Sequence, residues 1–410
     1  MLDIKLIRDQ KAEVAKGIAS KGQQVNLERL LELDDQRVTL IKKRDELRGA
    51  LKLGKKPNDA ELKKLDKSKT ELKKLDEKFD KVQSEWTDLM RSIPNIPRPD
   101  VKVGEGESAN AVIKTVGKAP KFSFKPKNHL ELSGDIDTER ASKVSGSRFV
   151  YLKGQIASLE LALINYVFDM LTKEGFIPVF PPVLITRDSM GAMGYLEHGG
   201  DDEIYHLPKD DLFLVGTSEQ SVGPMHGGEI FTESDLPLRY VSFSTCFRRE
   251  AGASGKDTKG ILRVHQFDKV EMFCFTTPDK SDKEHEFLLS LEERIVRGLD
   301  LPYQVIKMGS GDLGLPAARK YDIETWMPSQ EKFRETHSTS TCTDFQARRL
   351  NIKYRKDDGS KDYVHTLNGT AVAIGRMIIA ILENYQQKDG TVKIPKALQK
   401  YTGFKEINNT

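Results

Sequence analysis

Charged side chains at the facing ends of two predicted strands are the residues best suited to chemistry in this chain. Residues 240–247 alternate apolar and polar side chains, which predicts a strand, and Arg248 and Glu250 follow at its end. A polar segment separates this strand from a second one, predicted over 263–275, which carries Glu271. A guanidinium donates two parallel hydrogen bonds to a phosphate, and carboxylates accept from amines and hydroxyls. The pattern predicts a nucleotide site on antiparallel strands.

Phe267, on the second predicted strand, offers an aromatic face on which a base can stack. The alternative is an ordinary charged hairpin at the surface. Such a hairpin has no need of three glycines (Gly252, Gly255 and Gly260) or of interleaved Arg and Glu residues, so the nucleotide site is favoured.

The run from Phe247 to Glu271 reads F-R-R-E-A-G-A-S-G-K-D-T-K-G-I-L-R-V-H-Q-F-D-K-V-E. It resembles the second signature motif of class II aminoacyl-tRNA synthetases, in the form found in the seryl-tRNA synthetase family. The resemblance implies an ATP-dependent activation of L-serine to seryl-adenylate, followed by transfer to the 3′ end of tRNA(Ser), and of tRNA(Sec) as well. It also implies that Mg²⁺ accompanies the ATP.

The resemblance further assigns an ATP site. Phe267 and Arg376 would sandwich the adenine, Glu250 would contact it, and Arg248 would hold the α-phosphate. Glu335 and Ser338 would supply oxygen ligands to Mg²⁺. Thr336 and His337 depart from the Ile-Ser that the family usually has there, and we expect them to support the backbone or line the nucleotide. The full predicted set is Arg248, Arg249, Glu250, Val264, Phe267, Glu335, Thr336, His337, Ser338 and Arg376.

The serine pocket is assigned in the same way, from Thr-Ser-Glu at 217–219 and Leu-Asn-Gly-Thr-Ala at 367–371. A pocket built to bond the substrate hydroxyl rejects alanine, because its own polar groups would be left unpaired. Thr370 and Ala371 stand where bacterial members commonly have Ser and Gly, and Gly-Ala-Met-Gly-Tyr-Leu-Glu stands at 191–197, where Gly-Thr-Gly is frequent. The predicted set is Thr217, Ser218, Glu219, Arg248, Glu271, Asn368 and Thr370.

Two helical stretches of the first hundred residues carry leucines and aromatics in heptad steps, with Arg37 and Arg44 at the remaining seam positions. They predict an antiparallel hairpin over about 26–91 that turns at 54–58, followed by a proline-containing linker at about 92–105. Residues 37–74 hold 14 Lys and Arg against 6 Asp and Glu, so the outer part of the hairpin is basic.

A basic hairpin can grip an RNA backbone by charge and shape, whereas a solvated coiled coil can serve for dimerisation. Composition alone leaves these two open. The resemblance favours tRNA(Ser) binding, because seryl-tRNA synthetases carry such an arm.

Residues 106–410 are predicted as the catalytic domain. Residues 149–173 are apolar at helical spacing, Gly175 ends the helix, and a strand leads to Pro181 and Pro182. This order resembles the first class II motif, which forms a dimer interface, although a core helix would have the same pattern. The expected fold is α+β, with an N-terminal antiparallel two-helix coiled-coil arm and a class II antiparallel sheet flanked by helices, acting as a homodimer.

Composition sets limits on the other functions. The 410 residues carry a net charge of +3, three cysteines without paired spacing, and no apolar run near 18 residues, so a cytoplasmic protein without a membrane span is expected. Two rival functions are an amino-acid ligase that loads a carrier protein and a non-catalytic tRNA-binding paralogue. The long arm disfavours the first rival, and retention of Arg248, Glu250, Glu271, Glu335 and Arg376 disfavours the second.

Overall fold

The computed structural model describes residues 1–51, 59–197, 200–251 and 260–408. They form two compact units, Met1–Pro94 and Asn95–Thr410. The predicted turn at 54–58 and the glycines at 252 and 255 lie outside the described residues. The predicted boundary between the linker, which ends at about residue 105, and the catalytic domain over 106–410 stays a prediction.

Within its described residues the first unit is helical. Arg29 bonds Glu85 and Arg44 bonds Asp76, so residue numbers rise along one long helix as they fall along the other. The two long helices, α3 and α4, therefore run antiparallel, as the heptads predict, and two short helices that were not predicted precede them. The helices are α1 (Ile4–Asp9), α2 (Lys11–Ser20), α3 (Leu27–Ala50) and α4 (Asp59–Ser92).

The seam between α3 and α4 buries leucines and also accommodates two arginines. Leu33 and Leu40 are buried at the apolar seam positions. The Arg37 guanidinium lies 4.4 Å from the centre of the Trp86 ring, and that of Arg44 lies 4.0 Å from the centre of the Phe79 ring. Cation–π stacking thus fills the heptad positions that lack leucine.

The second unit is α+β. Its helices are α5 (His129–Leu132), α6 (Thr138–Ser145), α7 (Gly154–Lys173), α8 (Arg187–Met193), α9 (Glu219–Val222), α10 (Ser281–Gly298), α11 (Phe345–Leu350), α12 (Ile374–Tyr385) and α13 (Gln399–Thr402). Its strands are β1 (Ala111–Val116), β2 (Ile136–Asp137), β3 (Tyr151–Leu152), β4 (Ile177–Val179), β5 (Leu184–Thr186), β6 (His206–Leu207), β7 (Leu212–Leu214), β8 (Ile230–Thr232), β9 (Leu238–Phe247), β10 (Gln266–Thr276), β11 (Tyr303–Lys307), β12 (Arg319–Met327), β13 (Lys332–Thr343), β14 (Lys353–Arg355), β15 (Lys361–Tyr363), β16 (His365–Ala373), β17 (Val392–Lys393) and β18 (Glu406–Ile407).

An eight-stranded sheet forms the centre of this unit, in the order β1-β11-β12-β13-β16-β10-β9-β4. Neighbouring strands are antiparallel except for β4 and β9. The sheet is thus antiparallel except at one edge and is flanked by helices, as the sequence predicted. The order places β10, which carries Glu271, directly beside β16, where Glu271 pairs with Thr370.

The two faces of the sheet have different environments. A Cβ added at Gly369 would lie 3.0 Å from the Glu292 carboxylate of α10, so this side of β16 packs on the helix. Side chains of a strand alternate between faces, and Thr370 therefore points to the opposite face, where a cavity lies. The helix face encloses an apolar core to which α7, α10 and α12 contribute.

One predicted helix differs in extent from the one observed. The helix predicted from 149 begins at Gly154, because Tyr151 and Leu152 pair instead with Ile136–Asp137. Gly175, with φ of +84°, ends it as predicted.

Candidate active site

A cavity of about 220 Å³ lies on the open face of the sheet. Strands β10, β12, β13 and β16, the start of α12, and the segments that flank β9 and β10 contribute its lining. The predicted site residues that line it are Arg248, Glu250, Val264, Phe267, Glu335, Thr336, Ser338, Thr370 and Arg376.

Positive charge dominates this lining. Arg248, Arg263, Lys269, Lys320 and Arg376 face two carboxylates, those of Glu250 and Glu335. A concave surface with excess positive charge concentrates an anionic ligand, so the cavity suits a polyphosphate.

Arg248 connects the two ends of the site. Its Nε donates to the Gly216 carbonyl at 3.1 Å, and its guanidinium lies 5.3 Å from the centre of the Phe267 ring. These contacts fix the side chain between the backbone next to Thr217 and the aromatic wall of the cavity. An arginine held in this way is pre-organised for an oxyanion.

Glu335 is held ionised. Burial alone would raise the pKa of its carboxyl, but the surrounding cations, Arg376 foremost, outweigh burial and lower the pKa to about 2. Arg376 Nη1 lies 3.2 Å from Glu335 Oε2 and donates to the Glu335 carbonyl at 3.0 Å. The carboxylate is therefore a permanent anion in a cationic cavity.

A β-bulge brings Glu335 and Ser338 to the same cavity. In a regular strand, residues three apart point to opposite faces. Here Glu335 pairs with Glu324 while His337 pairs with Ile323, so Thr336 is the extra residue of the bulge. The bulge resets the alternation, which is how bulges redirect side chains at functional sites.

Glu271 lies at the centre of a second, buried polar cluster. Lys269 Nζ is 2.6 Å from Glu271 Oε2, and Thr370 Oγ1 donates to the same oxygen at 3.1 Å. All three side chains are buried. The Glu271 carboxylate can bind an ammonium group, and the Thr370 hydroxyl can form a hydrogen bond with a polar substrate.

Glu219 lies beside this cluster and accepts a hydrogen bond from the Tyr195 hydroxyl. Burial, followed by the charge of Glu271, raises the pKa of Glu219 to about 8. A positive group bound between the two carboxylates would offset their mutual repulsion and favour the ionised form of Glu219. The pair is thus suited to an ammonium ion.

The other predicted serine residues surround the same region. Thr217 is buried, and its Oγ1 has no hydrogen-bond partner among the described residues. Ser218 Oγ bonds Ser242 Oγ at 2.7 Å, inside the protein. The amide of Asn368 lies 3.9 Å from Cys342 Sγ, on the same face of β16 as Thr370.

Two predicted ATP residues lie outside the cavity lining. Arg249 donates to the Ile204 carbonyl at 3.0 Å and stacks 5.1 Å from the centre of the Tyr205 ring. His337 is buried next to Thr336 Oγ1, at 2.9 Å, and burial lowers its pKa to about 3, so it is a neutral side chain. Their assignment to ATP stays a prediction, and for His337 a backbone-supporting role fits the geometry.

Sequence reasoning missed four polar residues of the site, which are Arg263, Lys269, Lys320 and Tyr195. Lys269 lies midway between Phe267 and Glu271 on one predicted strand. Residues two apart share a face, so this spacing could have placed Lys269 in the site. Arg263 Nη1 bonds Glu250 at 2.8 Å across the loop ends. No local signal marks Lys320, which sheet order alone brings to the cavity. Tyr195 follows α8, so part of the segment noted at 191–197 is helical.

The described ranges contain no cluster of three or more His, Cys, Asp or Glu side chains arranged for a metal ion. Nor do they contain a helix that is both long and apolar enough to cross a membrane.

Two family models match the chain. The seryl-tRNA synthetase N-terminal domain matches residues 1–97, and the tRNA synthetase class II core domain (G, H, P, S and T) matches residues 205–385. Together these matches include the helical unit and all four strands that line the cavity.

Full-length relatives show the same similarity. The chain is 44% identical to the serine–tRNA ligase of Thermobifida fusca, covering 98% of each, and 45% identical to that of Streptomyces coelicolor, covering 99% of each. Among solved structures, seryl-tRNA synthetase from Pyrococcus horikoshii complexed with ATP superposes with a TM-score of 0.89 at 42% identity, covering 100% of both chains. The cytoplasmic serine–tRNA ligase of Naegleria fowleri in complex with AMP gives a TM-score of 0.87 at 34% identity, covering 100% of this chain and 99% of that one.

Proposed function

The chain belongs to the seryl-tRNA synthetase family, and from this premise we propose that it joins L-serine to the 3′ end of tRNA(Ser) in two steps at the cavity. Its activity is that of a serine–tRNA ligase, and ATP is a substrate. The observation that carries the finer proposal is the adjacency of a cationic cavity and a buried Glu219–Glu271 pair, with Arg248 between them.

In the first step, the serine carboxylate attacks the α-phosphate of ATP, a P–O bond forms, and the bond to pyrophosphate breaks. Arg248 would hold both oxyanions, while Phe267 and Arg376 would enclose the adenine, which Glu250 would contact. In the second step, the terminal ribose hydroxyl of the tRNA attacks the adenylate carbonyl and AMP leaves. The protein positions reactants and stabilises charge, so no enzyme nucleophile is needed.

Serine selection is proposed for the buried cluster. Glu219 and Glu271 would receive the ammonium, and Thr370 and Thr217 would lie near the substrate hydroxyl. Thr370 replaces the more common serine but keeps a hydroxyl, which supports retention of serine recognition. The unpartnered Thr217 Oγ1 supports this placement, because a buried hydroxyl without a partner is costly.

The serine affinity should depend on pH through Glu219. The substrate ammonium favours the ionised carboxylate, and below a pKa of about 8 binding must first release a proton. KM for serine should therefore fall about twentyfold as pH rises from 6.5 to 8.5, because the ionised fraction of a carboxyl with a pKa of about 8 rises by roughly that factor over this range. Exchange kinetics at five pH values test this expectation.

The control is Glu219→Gln, whose side chain cannot titrate. Its KM for serine should be high and should not change with pH over the same range. A flat profile for the unmodified protein, or an equal slope in Glu219→Gln, would remove Glu219 from ammonium binding.

Mg²⁺ is proposed to bind together with the ATP phosphates. The donor set fits, because the ionised Glu335 carboxylate and the Ser338 hydroxyl are hard oxygen ligands lining one cavity. The metal would neutralise charge on the phosphates when bound. Two protein ligands suffice, since Mg²⁺ in nucleotide sites takes further ligands from phosphate and water.

The helical unit is proposed to bind the tRNA backbone, of tRNA(Ser) and of tRNA(Sec). Its basic outer part supports this role, and so does the family match over residues 1–97. Lysines on both α3 and α4 are exposed, including Lys42, Lys43, Lys67 and Lys69. Charging assays with each tRNA transcript separate the two substrates.

A homodimer is proposed through α7 and β4. Leu161, Ile177 and Phe180 leave 62%, 47% and 74% of their surface exposed, which is unusual for clustered large apolar side chains. The Phe180 ring, which follows β4, stacks 6.0 Å from that of Phe168 on α7, so the two elements are in contact there. Sedimentation should give twice the 46.3 kDa chain mass, and a monomer would refute the interface.

A cytoplasmic location is proposed on two grounds. The substrates are cytoplasmic, and the sequence holds only three cysteines, without paired spacing, as is usual in a reducing compartment. Fractionation of expressing cells tests this location.

Charging of tRNA tests the proposed function as a whole. Purified protein, ATP, Mg²⁺ and radiolabelled serine should give acid-precipitable label on tRNA(Ser). A matched tRNA lacking its terminal adenosine should take up none. Label on neither tRNA, with ATP bound normally, would refute the transfer step.

A further inference from the structure

His129, outside the cavity lining, makes a buried contact with the segment that forms one wall of the cavity. It is the first residue of α5 and is 6% exposed. The Ile261 amide N–H donates to His129 Nε2 at 3.3 Å. Ile261 and the next two residues, Leu262 and Arg263, line the cavity.

The acceptor role of Nε2 fixes the tautomer of the ring. A neutral imidazole that accepts at Nε2 carries its proton on Nδ1. Nδ1 lies 3.5 Å from Oε1 of Glu383, which is fully buried on α12. The other oxygen of Glu383 accepts from the Ser329 amide at 2.9 Å. The Ser329 contact thus holds the carboxylate, and its Oε1 lies near Nδ1 without meeting hydrogen-bond geometry.

The contact also explains a motif glycine. Gly260 has φ of +79°, and a Cβ built on it would overlap the His129 imidazole. Only glycine allows the backbone to approach the ring this closely. On its other side, the Ile261 carbonyl would lie 3.2 Å from a Cβ added at Gly375, next to Arg376. The segment is therefore clamped between α5 and the start of α12.

We propose that His129 is a positioning residue for ATP, which acts by holding the Ile261 amide and thereby the wall that carries Arg263. Arg263 in turn bonds Glu250 at 2.8 Å, so the clamp reaches the residue proposed to contact adenine. No contact of His129 reaches the Glu219–Glu271 cluster among the described residues, and its effect is confined to the nucleotide. This inference rests on the proposed ATP-dependent activation of serine.

The first test is a pair of substitutions at His129. His129→Leu leaves the Ile261 N–H buried and unpaired, and should raise KM for ATP in pyrophosphate exchange about tenfold, with KM for serine changed less than about twofold. His129→Gln, whose amide oxygen can accept at the position of Nε2, should restore KM for ATP to within about threefold. Melting temperatures are recorded for each variant.

Gly260→Ala tests the contact from the other side and should raise KM for ATP in the same way. Gly359→Ala is the matched control, since Gly359 has φ of +83° but open space around it and lies in the β14–β15 turn. If His129→Leu does not fold, the comparison of KM for ATP between these two glycine variants tests the proposal instead.

Three results would overturn the proposal: an unchanged KM for ATP in His129→Leu or Gly260→Ala, an equal rise of both KM values, or failure of His129→Gln to rescue. Calorimetric binding of ATP without serine keeps this test separate from the proposed function. If the unmodified protein lacks exchange activity, the proposed function fails, while ATP affinity in the variants still tests the clamp.

Discussion

Replacing Arg248 by Ala should lower serine-dependent ATP–pyrophosphate exchange about a thousandfold. Arg248 lies between the nucleotide cavity and the serine cluster, fixed by Gly216 and by the face of Phe267. Removal of one pre-organised donor to a developing oxyanion typically costs about a hundredfold to a thousandfold in kcat, and Arg248 would serve two oxyanions at once. Initial rates at saturating ATP and serine measure the loss.

Arg248→Lys should recover only part of this loss and remain about a hundredfold slower than the unmodified protein, because an ammonium keeps the charge but not the planar fork. Arg355→Ala is the control, since Arg355 is exposed on β14, outside the cavity lining, and its side chain bonds the nearby Gly359 carbonyl at 3.5 Å. Exchange by Arg248→Ala within tenfold of the unmodified rate would be incompatible with the proposed step.

Deleting residues 26–91 and joining their ends should abolish tRNA charging, lowering kcat/KM for tRNA about a thousandfold, while exchange without tRNA stays within about twofold. The cavity residues belong to Asn95–Thr410, a separate compact unit, so adenylate chemistry does not depend on the helices. Charging does depend on them, because neutralised phosphates release counterions and supply much of the affinity for a nucleic acid.

A charge-reversal triple in the full chain gives a finer version of this test. Lys67, Lys69 and Lys73 are exposed on α4, and changing all three to Glu should raise KM for tRNA at least about tenfold and flatten its salt dependence. The matched control reverses Lys118, Lys121 and Lys125, exposed in the second unit. Normal charging by the deletion variant would refute the assignment of the arm to tRNA.

The parts of this fold that sequence predicts are those whose pattern lies within one short segment of the chain. The α3–α4 hairpin and β9 were predictable because heptads and alternation record which face is buried. The heptads also placed the two arginines at the seam. Their stacking on Trp86 and Phe79 could be recognised only once the pairing of the two helices was known. Helix α7 began later than predicted, because pairing of β3 with β2 overrides helical spacing at Tyr151.

The site was harder to predict, because sheet order assembles it. Lys320 and Lys269 lie on strands separated by β13 and β16, and nothing near Lys320 in sequence marks it. The bulge at Thr336 is equally invisible, since simple alternation would put Glu335 and Ser338 on opposite faces. Motif resemblance supplied both residues without giving the geometry that brings them together.

The most direct test of the central claim is ATP–pyrophosphate exchange without tRNA, measured with each of the twenty amino acids in turn. We predict exchange with serine, and none above background with alanine, which lacks the hydroxyl that Thr370 and Thr217 are proposed to bond. Exchange driven by another amino acid would contradict the proposed pocket. Exchange with none of the twenty would contradict the adenylation chemistry itself and favour a non-catalytic tRNA-binding role.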